Sequence, residues 1–439
     1  MKKILFLAAT AALFAACTSD EATVPEVAQE APQAVAFDTY TPAATRAGQT
    51  DVMTTTQLQS VGFGVFAYQT DNAGYDQSAT PNFMYNQKVT YGASAWTYSP
   101  LKFWPNETKN DNNSATSINA NEIDKLTFFA YAPYVEATPS TGVLTSPVIA
   151  DKNADGADVD NVGITALTKN SDAGNPKVTY QIAYTPSKSV DLLWGVAPST
   201  SGLTYKGVNN ENVSIGAEQP LIGLWKPAID QKIKFLFKHA LARMGLKVVA
   251  AVDQSVPGGT LNASETKIVI EEITIKAAGI KDKGVLDLNN STAGSANWGA
   301  VTGARTLSLK LDNTDASEMV DALKYKTDAA TSFSNAGVKT SEQDVIKNNK
   351  YFMLIPTHTN ETFTVGIKYV TITKDTNVNG EYTETKNKIQ KDVTITNFTN
   401  NKAYTLKLIL GMTSVKLDAE VADWDLEEAS VIDLPKNKE

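Results

Sequence analysis

Tyr404-Thr405-Leu406-Lys407-Leu408-Ile409-Leu410 places Tyr404, Leu406, Leu408 and Leu410 on one side of an extended chain and Thr405 and Lys407 on the other. A period of two belongs to a strand with one buried and one wet face, the pattern an antiparallel sheet requires. Working back from it, the same alternation, rich in β-branched and aromatic residues, predicts strands over 391–396, 362–373, 351–356, 305–311, 267–276, 242–252 and 233–239. Further toward the N-terminus it predicts strands over 190–197, 125–134, 96–98, 88–91 and 61–68, separated by Asn, Asp, Ser, Pro and Gly. Residues 106–121 and 199–220 read as loops. Helical period shows only weakly, over 317–325. The expected architecture is all-β: two β-sandwiches in tandem with short helices in the connections, and a boundary near Trp225.

Composition agrees with a folded, strand-rich chain. Of 439 residues 42% are hydrophobic and 20% charged, which is globular rather than disordered. The formal net charge is −9 and the pI is near 5.0, which argues against nucleic acid as a partner, since phosphate binding needs clustered Lys and Arg.

The first forty-six residues read as instructions for export and release. Lys2 and Lys3 form a positive start, residues 4–14 an apolar core, and Ala15-Ala16 a small-residue site before Cys17. The apolar run is too short to cross a bilayer, which takes about 20 residues. Small-small-Cys is how bacterial lipoprotein signals end, and Cys17 is the single cysteine of the chain, so it forms no internal disulfide. Lipidation of Cys17 is the expected outcome, with segment 1–17 a signal. Segment 18–46 follows as an acidic tether, Thr18-Ser19-Asp20-Glu21 onward, which resembles the surface-export signal of Bacteroidales lipoproteins and implies the outer leaflet. Within it, 34–40 alternates, with Val35, Phe37 and Thr39 on one face, and predicts a strand. Arg46, one of three arginines with Arg243 and Arg305, stands among small residues before Ala47, where a trypsin-like protease finds backbone it can extend.

The succession Gly62-Phe63-Gly64-Val65-Phe66-Ala67-Tyr68, Trp96-Thr97-Tyr98-Ser99-Pro100-Leu101-Lys102-Phe103-Trp104-Pro105, Leu126-Thr127-Phe128-Phe129-Ala130-Tyr131-Ala132-Pro133, Phe235-Leu236-Phe237-Lys238-His239-Ala240-Leu241-Ala242 and Tyr404–Gly411, together with Cys17 and Arg46, resembles the fimbrillin family, the type V pilins of Bacteroidales. The likeness spans nearly the whole chain, and Phe14 departs from it where such lipoproteins more often carry Leu. It implies two transthyretin-like, Greek-key β-sandwiches over 47–225 and 226–439. It also implies export as a lipoprotein to the cell outer membrane, cleavage after Arg46 by an arginine-specific protease, and polymerisation with other pilin subunits into fimbriae by strand exchange. The strand holding Val35 and Phe37 would be the one released. The expected donor is the C-terminal tail after Trp424, with Ala429, Val431 and Leu434 as apolar side chains, although 415–421 alternates equally well.

Other classes were weighed against this. The only histidines, His239 and His358, stand without a nucleophile beside them, and no G-x-S-x-G, H-E-x-x-H or phosphate-loop motif occurs. Glu271-Glu272 and Glu427-Glu428 are adjacent, so on a strand each pair splits across two faces. Catalysis has no support. A non-polymerising glycan-binding or adhesive lipoprotein is the alternative, with Trp96, Trp104, Trp194, Trp225, Trp298 and Trp424 as stacking candidates. No cofactor is expected apart from calcium: Asp151, Asn153, Asp155 and Gly156 match the opening of an EF-hand loop. Val162, however, replaces the bidentate Glu, and no flanking helices are expected, so a solvated acidic turn is the better fit and calcium the alternative.

If Cys17 carries the acyl chains, Cys17→Ser releases the precursor from membranes, because stable attachment takes more than one chain. Unchanged membrane fractionation of the variant, with no labelled lipid on the parent protein, would refute the anchor.

Overall fold

The alternating segments pair into four principal sheets in the computed structural model, which describes residues 33–39, 53–70, 75–105, 125–152, 157–159, 161–198, 204–206, 212–214, 216–224, 232–251, 265–290, 292–310, 318–325, 337–375, 377–378, 381–411 and 415–424. The first sheet runs, edge to edge, Phe37–Thr39, Ile233–His239, Leu193–Val196, Lys125–Ala132, Phe63–Thr70, Met84–Gly92 and Ala95–Thr97, with Leu221–Leu224 also paired to Lys125–Ala132. The second is Gly163–Leu167, Lys177–Gln181, Lys283–Asp287 and Asn297–Thr302. In the third, Gln343–Asp344, Ala242–Ala250, Lys402–Leu410 and Val415–Asp423 follow one another, and Phe352–Leu354 also pairs with Ala242–Ala250. The fourth is Thr306–Lys310, Thr266–Lys276, Thr359–Lys374 and Tyr382–Phe398. The protein is all-β, as its alternation predicts.

Two features depart from the tandem antiparallel reading. Lys402–Leu410 pairs with Ala242–Ala250 in parallel over nine residues, Ala242 opposite Lys402 through Ala250 opposite Leu410, and only its other neighbour, Val415–Asp423, is antiparallel. Alternation reports which face is buried and not the direction of the partner. The boundary expected near Trp225 also does not part the sheets. Ile233–His239, read as the first strand of the second set, pairs with Leu193–Val196 in the first sheet, and Lys283–Asp287 and Asn297–Thr302 complete the second sheet. One connected apolar core accordingly runs from Phe66, Tyr68 and Trp194 through Tyr180 and Leu286 to Met244, Ile273 and Leu406.

The first sheet is buried on both faces, which is why Phe63–Thr70 and Lys125–Ala132 are near-continuous apolar runs. Phe66, Tyr68, Phe129 and Tyr131 face the continuous core. Phe63, Val65, Leu126 and Phe128 face a separate cluster closed by Val35, Phe37, Leu58, Trp96 and Trp104. Gly64 leaves room for the Tyr131 ring: a Cβ there would lie 2.4 Å from it, and the Tyr131 hydroxyl donates to Asn86 Oδ1 at 2.7 Å.

The one α-helix among the described residues, Thr55–Val61, lies in a stretch whose end was read as strand. Its signal was local. Thr54 Oγ1 accepts from the Gln57 N–H, and Gln57 Oε1 accepts from the Thr54 N–H, a reciprocal capping box that secures two otherwise orphaned donors. The weak helical period over 317–325 condenses to a single 3-10 turn, Asp321–Leu323. Thr54→Ala should lower stability by about 0.5–2 kcal/mol, read as a shift in the denaturant midpoint; an unmoved midpoint would show that the helix is held by Leu58 alone.

Candidate functional site

Of the strand expected over 34–40, Phe37–Thr39 forms, preceded by an isolated bridge at Ala34, and the extended segment 33–39 occupies a groove between two partners. At its start, the Val35 N–H donates to the Lys102 carbonyl at 2.8 Å and the Trp104 N–H to the Gln33 carbonyl at 2.9 Å, an antiparallel bridge centred on Ala34 and Phe103. At its end, Phe37–Thr39 runs parallel to Ile233–Phe235 at the edge of the first sheet, and the Ile233 N–H donates to the Ala36 carbonyl at 2.8 Å. Two side chains reach over it: the Tyr98 hydroxyl donates to the Val35 carbonyl at 2.8 Å, and Trp96 Nε1 donates to Thr39 Oγ1 at 3.2 Å. Burial raises the Tyr98 phenol above its ordinary pKa, an effect reduced by its hydrogen bond with Lys102, so the hydroxyl stays neutral and able to donate.

The strand's apolar side chains fill the groove. Val35 and Phe37 are each 1% exposed. The Phe37 ring is surrounded by Tyr98, Phe128, Phe235 and Phe63 at centroid distances of 5.4, 5.9, 6.1 and 6.3 Å, with Phe63 and Phe128 meeting it edge-to-face. Leu101 and Phe103, on the segment that clasps the strand, are exposed. Cys17, Arg46, Ala47, Ala429, Val431 and Leu434 lie outside the described residues.

A second cluster joins the two ends of the described fold beyond this strand. His239 Nδ1 lies 2.8 Å from Oδ2 and 3.0 Å from Oδ1 of Asp191, with both side chains buried. Asp191 Oδ2 also accepts from the N–H of Met53, at 2.8 Å. The His239 ring stacks on Trp424 at 4.0 Å, and its Nε2 has no hydrogen-bond partner among the described residues. This is a structural histidine, oriented by a carboxylate that sequence separation concealed. His358 sits in a turn with positive φ, and burial lowers its pKa.

Asp151 is built as a structural carboxylate. Its oxygens accept from the N–H groups of Lys152, Tyr184 and Thr185 and from the Thr185 hydroxyl, at 2.6–3.1 Å. Those four donors use the lone pairs a calcium ion would need, and Lys152 pairs with Asp158 at 2.7 Å. Asn153 and Asp155 lie outside the described residues. Of the tryptophans that could stack on a glycan, Trp96, Trp104, Trp194 and Trp424 are buried, Trp298 is half-buried, and Trp225 lies outside the described residues.

Comparison with known proteins places this geometry. The fold is that of a fimbrial protein from Bacteroides vulgatus, whose crystal structure superposes with a TM-score of 0.58 at 21% identity, covering 90% of this chain and 100% of that one. Over 160 residues the chain is 36% identical to the fimbrium subunit Fim1C of Phocaeicola vulgatus, a match that spans 36% of this chain and 37% of the relative's length. No protein-family model matches. The fimbrial likeness read in the sequence is borne out by both, and neither is named as an enzyme.

Phe37→Ala in the uncut protein should cost about 3–5 kcal/mol of unfolding free energy, the range for removing a fully buried aromatic ring. A loss below about 1 kcal/mol in a denaturant melt would mean that the ring contributes little to closing the first sheet.

Proposed function

We propose that the chain is a structural fimbrial subunit that supports adhesion: exported as a lipoprotein on Cys17, matured after Arg46, and polymerised by exchange of the 33–39 strand for a strand of a neighbouring subunit. The observation that carries this reading is the groove. A seven-residue segment upstream of Arg46 occupies the edge of the first sheet, contributes Val35 and Phe37 to its core, and is joined to the rest only through residues 40–52. Its loss would leave the Ile233 and Trp104 N–H groups and Trp96 Nε1 without these partners, and Tyr98 and the Lys102 carbonyl with only each other, while opening an aromatic pocket. Each polar group left buried without a partner costs about 1–3 kcal/mol, so a replacement strand is strongly favoured. Exposed Leu101 and Phe103 on the rim add apolar surface that a neighbour would cover.

The other two arginines support cleavage at Arg46 alone. Arg305 is 5% exposed, bound to the Ile182 carbonyl and Asp282, and Arg243 lies in a strand between two aromatic rings. The tail after Trp424, with Ala429, Val431 and Leu434, is the proposed donor, because Val415–Asp423 is already paired within the third sheet.

A trypsin-like protease acting on the precursor should give one stable product beginning at Ala47, and that product should form filaments visible by electron microscopy. Removing residues 426–439 should leave cleavage intact and abolish the filaments. Cuts scattered through the sheets would contradict the maturation step, and filaments from the truncated protein would move the donor elsewhere.

A further inference from the structure

The outward face of the third sheet carries a cleft of about 190 Å³ lined by Arg243, Lys247, Asp344, Lys350 and Tyr351, among others. Three of these side chains are cationic and one is a carboxylate. Lys247 also faces Glu342 at 3.5 Å. The Arg243 guanidinium is held between the Tyr351 ring at 4.4 Å and the Trp424 ring at 5.4 Å, which fixes its plane beside the cleft. Desolvation lowers the pKa of both Arg243 and Lys350, and for Arg243 the charges of Tyr351 and Asp191 oppose that shift.

Trp424 is the last described residue, and its position is fixed. It is 2% exposed, stacks on His239 at 4.0 Å and donates its N–H to the Asn401 carbonyl at 3.0 Å. The chain continues directly as Asp425-Leu426-Glu427-Glu428, three carboxylates in four residues. Four residues extend about 13–14 Å at most. The acidic run is therefore tethered to a residue whose ring lies 5.4 Å from the Arg243 guanidinium.

We propose that this cleft is a carboxylate-binding site filled by the chain's own acidic run, with Asp425, Glu427 and Glu428 docked against Arg243, Lys247 and Lys350. The root of the tail is thereby laid along the third sheet, and the residues beyond it leave in a set direction. This inference rests on the cleft and on the fixed position of Trp424. It stands or falls independently of strand exchange.

The test uses the full chain with its single cysteine replaced, Cys17→Ser, and a nitroxide placed on the tail through Ser430→Cys. Electron paramagnetic resonance of the monomer should show a restrained label. Lys247→Glu with Lys350→Glu should lower the restrained population by roughly two- to fivefold, the scale of a partly exposed charge interaction. Adding Glu427→Lys and Glu428→Lys to that variant should restore it. High salt acting on the unreversed protein should release the label as well, since screening weakens such pairs without any change to the fold. A label equally mobile with the original and the reversed cleft overturns the proposal. So does restraint that survives salt, or restraint that the swapped tail fails to recover. Restraint that grows with protein concentration would assign the cleft to a second copy's tail and overturn the assignment to the chain's own. Polymerisation is not part of the readout, so its failure and the failure of this inference are distinguishable.

Discussion

A sheet edge whose inner side is lined by Phe63, Tyr98, Phe128 and Phe235 cannot stand bare in water, and the first sheet is built around meeting that constraint. Its outermost long strand, Ile233–His239, presents N–H and C=O groups along one side and apolar side chains beneath. Proteins commonly blunt such an edge with charge, proline or a bulge. This one is covered by a short strand from far upstream, clasped on its other side by the segment 102–104. The cover supplies two needs together, hydrogen-bond partners and a ring for the aromatic pocket. Whatever occupies the groove must supply both.

The same sheet ends in the Asp191–His239 pair, where the chain's other requirements converge. Burying a carboxylate and an imidazole in an apolar interior carries a desolvation penalty that is offset only when their hydrogen-bonding capacity is used. Met53 and Asp191 meet part of that need through the Met53 N–H, and Trp424 covers the imidazole face. The arrangement ties Met53, the end of the strand Ile233–His239 and Trp424 to one buried point. On the proposed reading of a cut after Arg46, Met53 would stay seated by its own hydrogen bond to Asp191.

What the sequence disclosed and what it hid follow the reach of each signal. Ile233–His239 appears over the residues the alternation predicts, and Lys402–Leu410 within two residues, because a one-sided apolar face is written in the strand itself. Val35 and Phe37 were legible for the same reason, and they are the part of the groove that reading recovered. The strands Gly163–Leu167 and Lys177–Gln181 are short and mix polar residues with apolar ones, and Tyr382–Phe398 is legible only in its second half, since the buried residues, Ile395 and Phe398, fall there and none in its first. The Thr54–Gln57 capping box was present in the sequence but was overshadowed by the strand pattern that follows it. Partner identity was out of reach. Nothing local states that Ala36 meets Ile233, that Val35 meets Lys102, or that Asp191 receives an N–H from 138 residues away. The cleft beside Arg243 was hidden for the same reason, since Arg243, Asp344 and Lys350 come together only through the third sheet and its flanking turn.

On the proposed reading, the covalent link through residues 40–52 matters more than any contact in the groove. Two buried anchors at about 1.5–3 kcal/mol each, with five hydrogen bonds at about 0.5–1.5 kcal/mol each, bring roughly 6–13 kcal/mol to the seated strand. Ordering seven backbone residues costs roughly 7–14 kcal/mol, so the two sums are comparable and the isolated strand gains little by staying. A short tether changes this by holding the strand at an effective concentration near the millimolar range. Cutting the tether removes that advantage without touching Phe37, Tyr98 or Ile233. The groove is then left to whichever segment brings more anchors or a better tether, and a strand borne by a neighbouring folded subunit has the whole of that subunit's surface, including its contact with the Leu101 and Phe103 rim, to hold it in place.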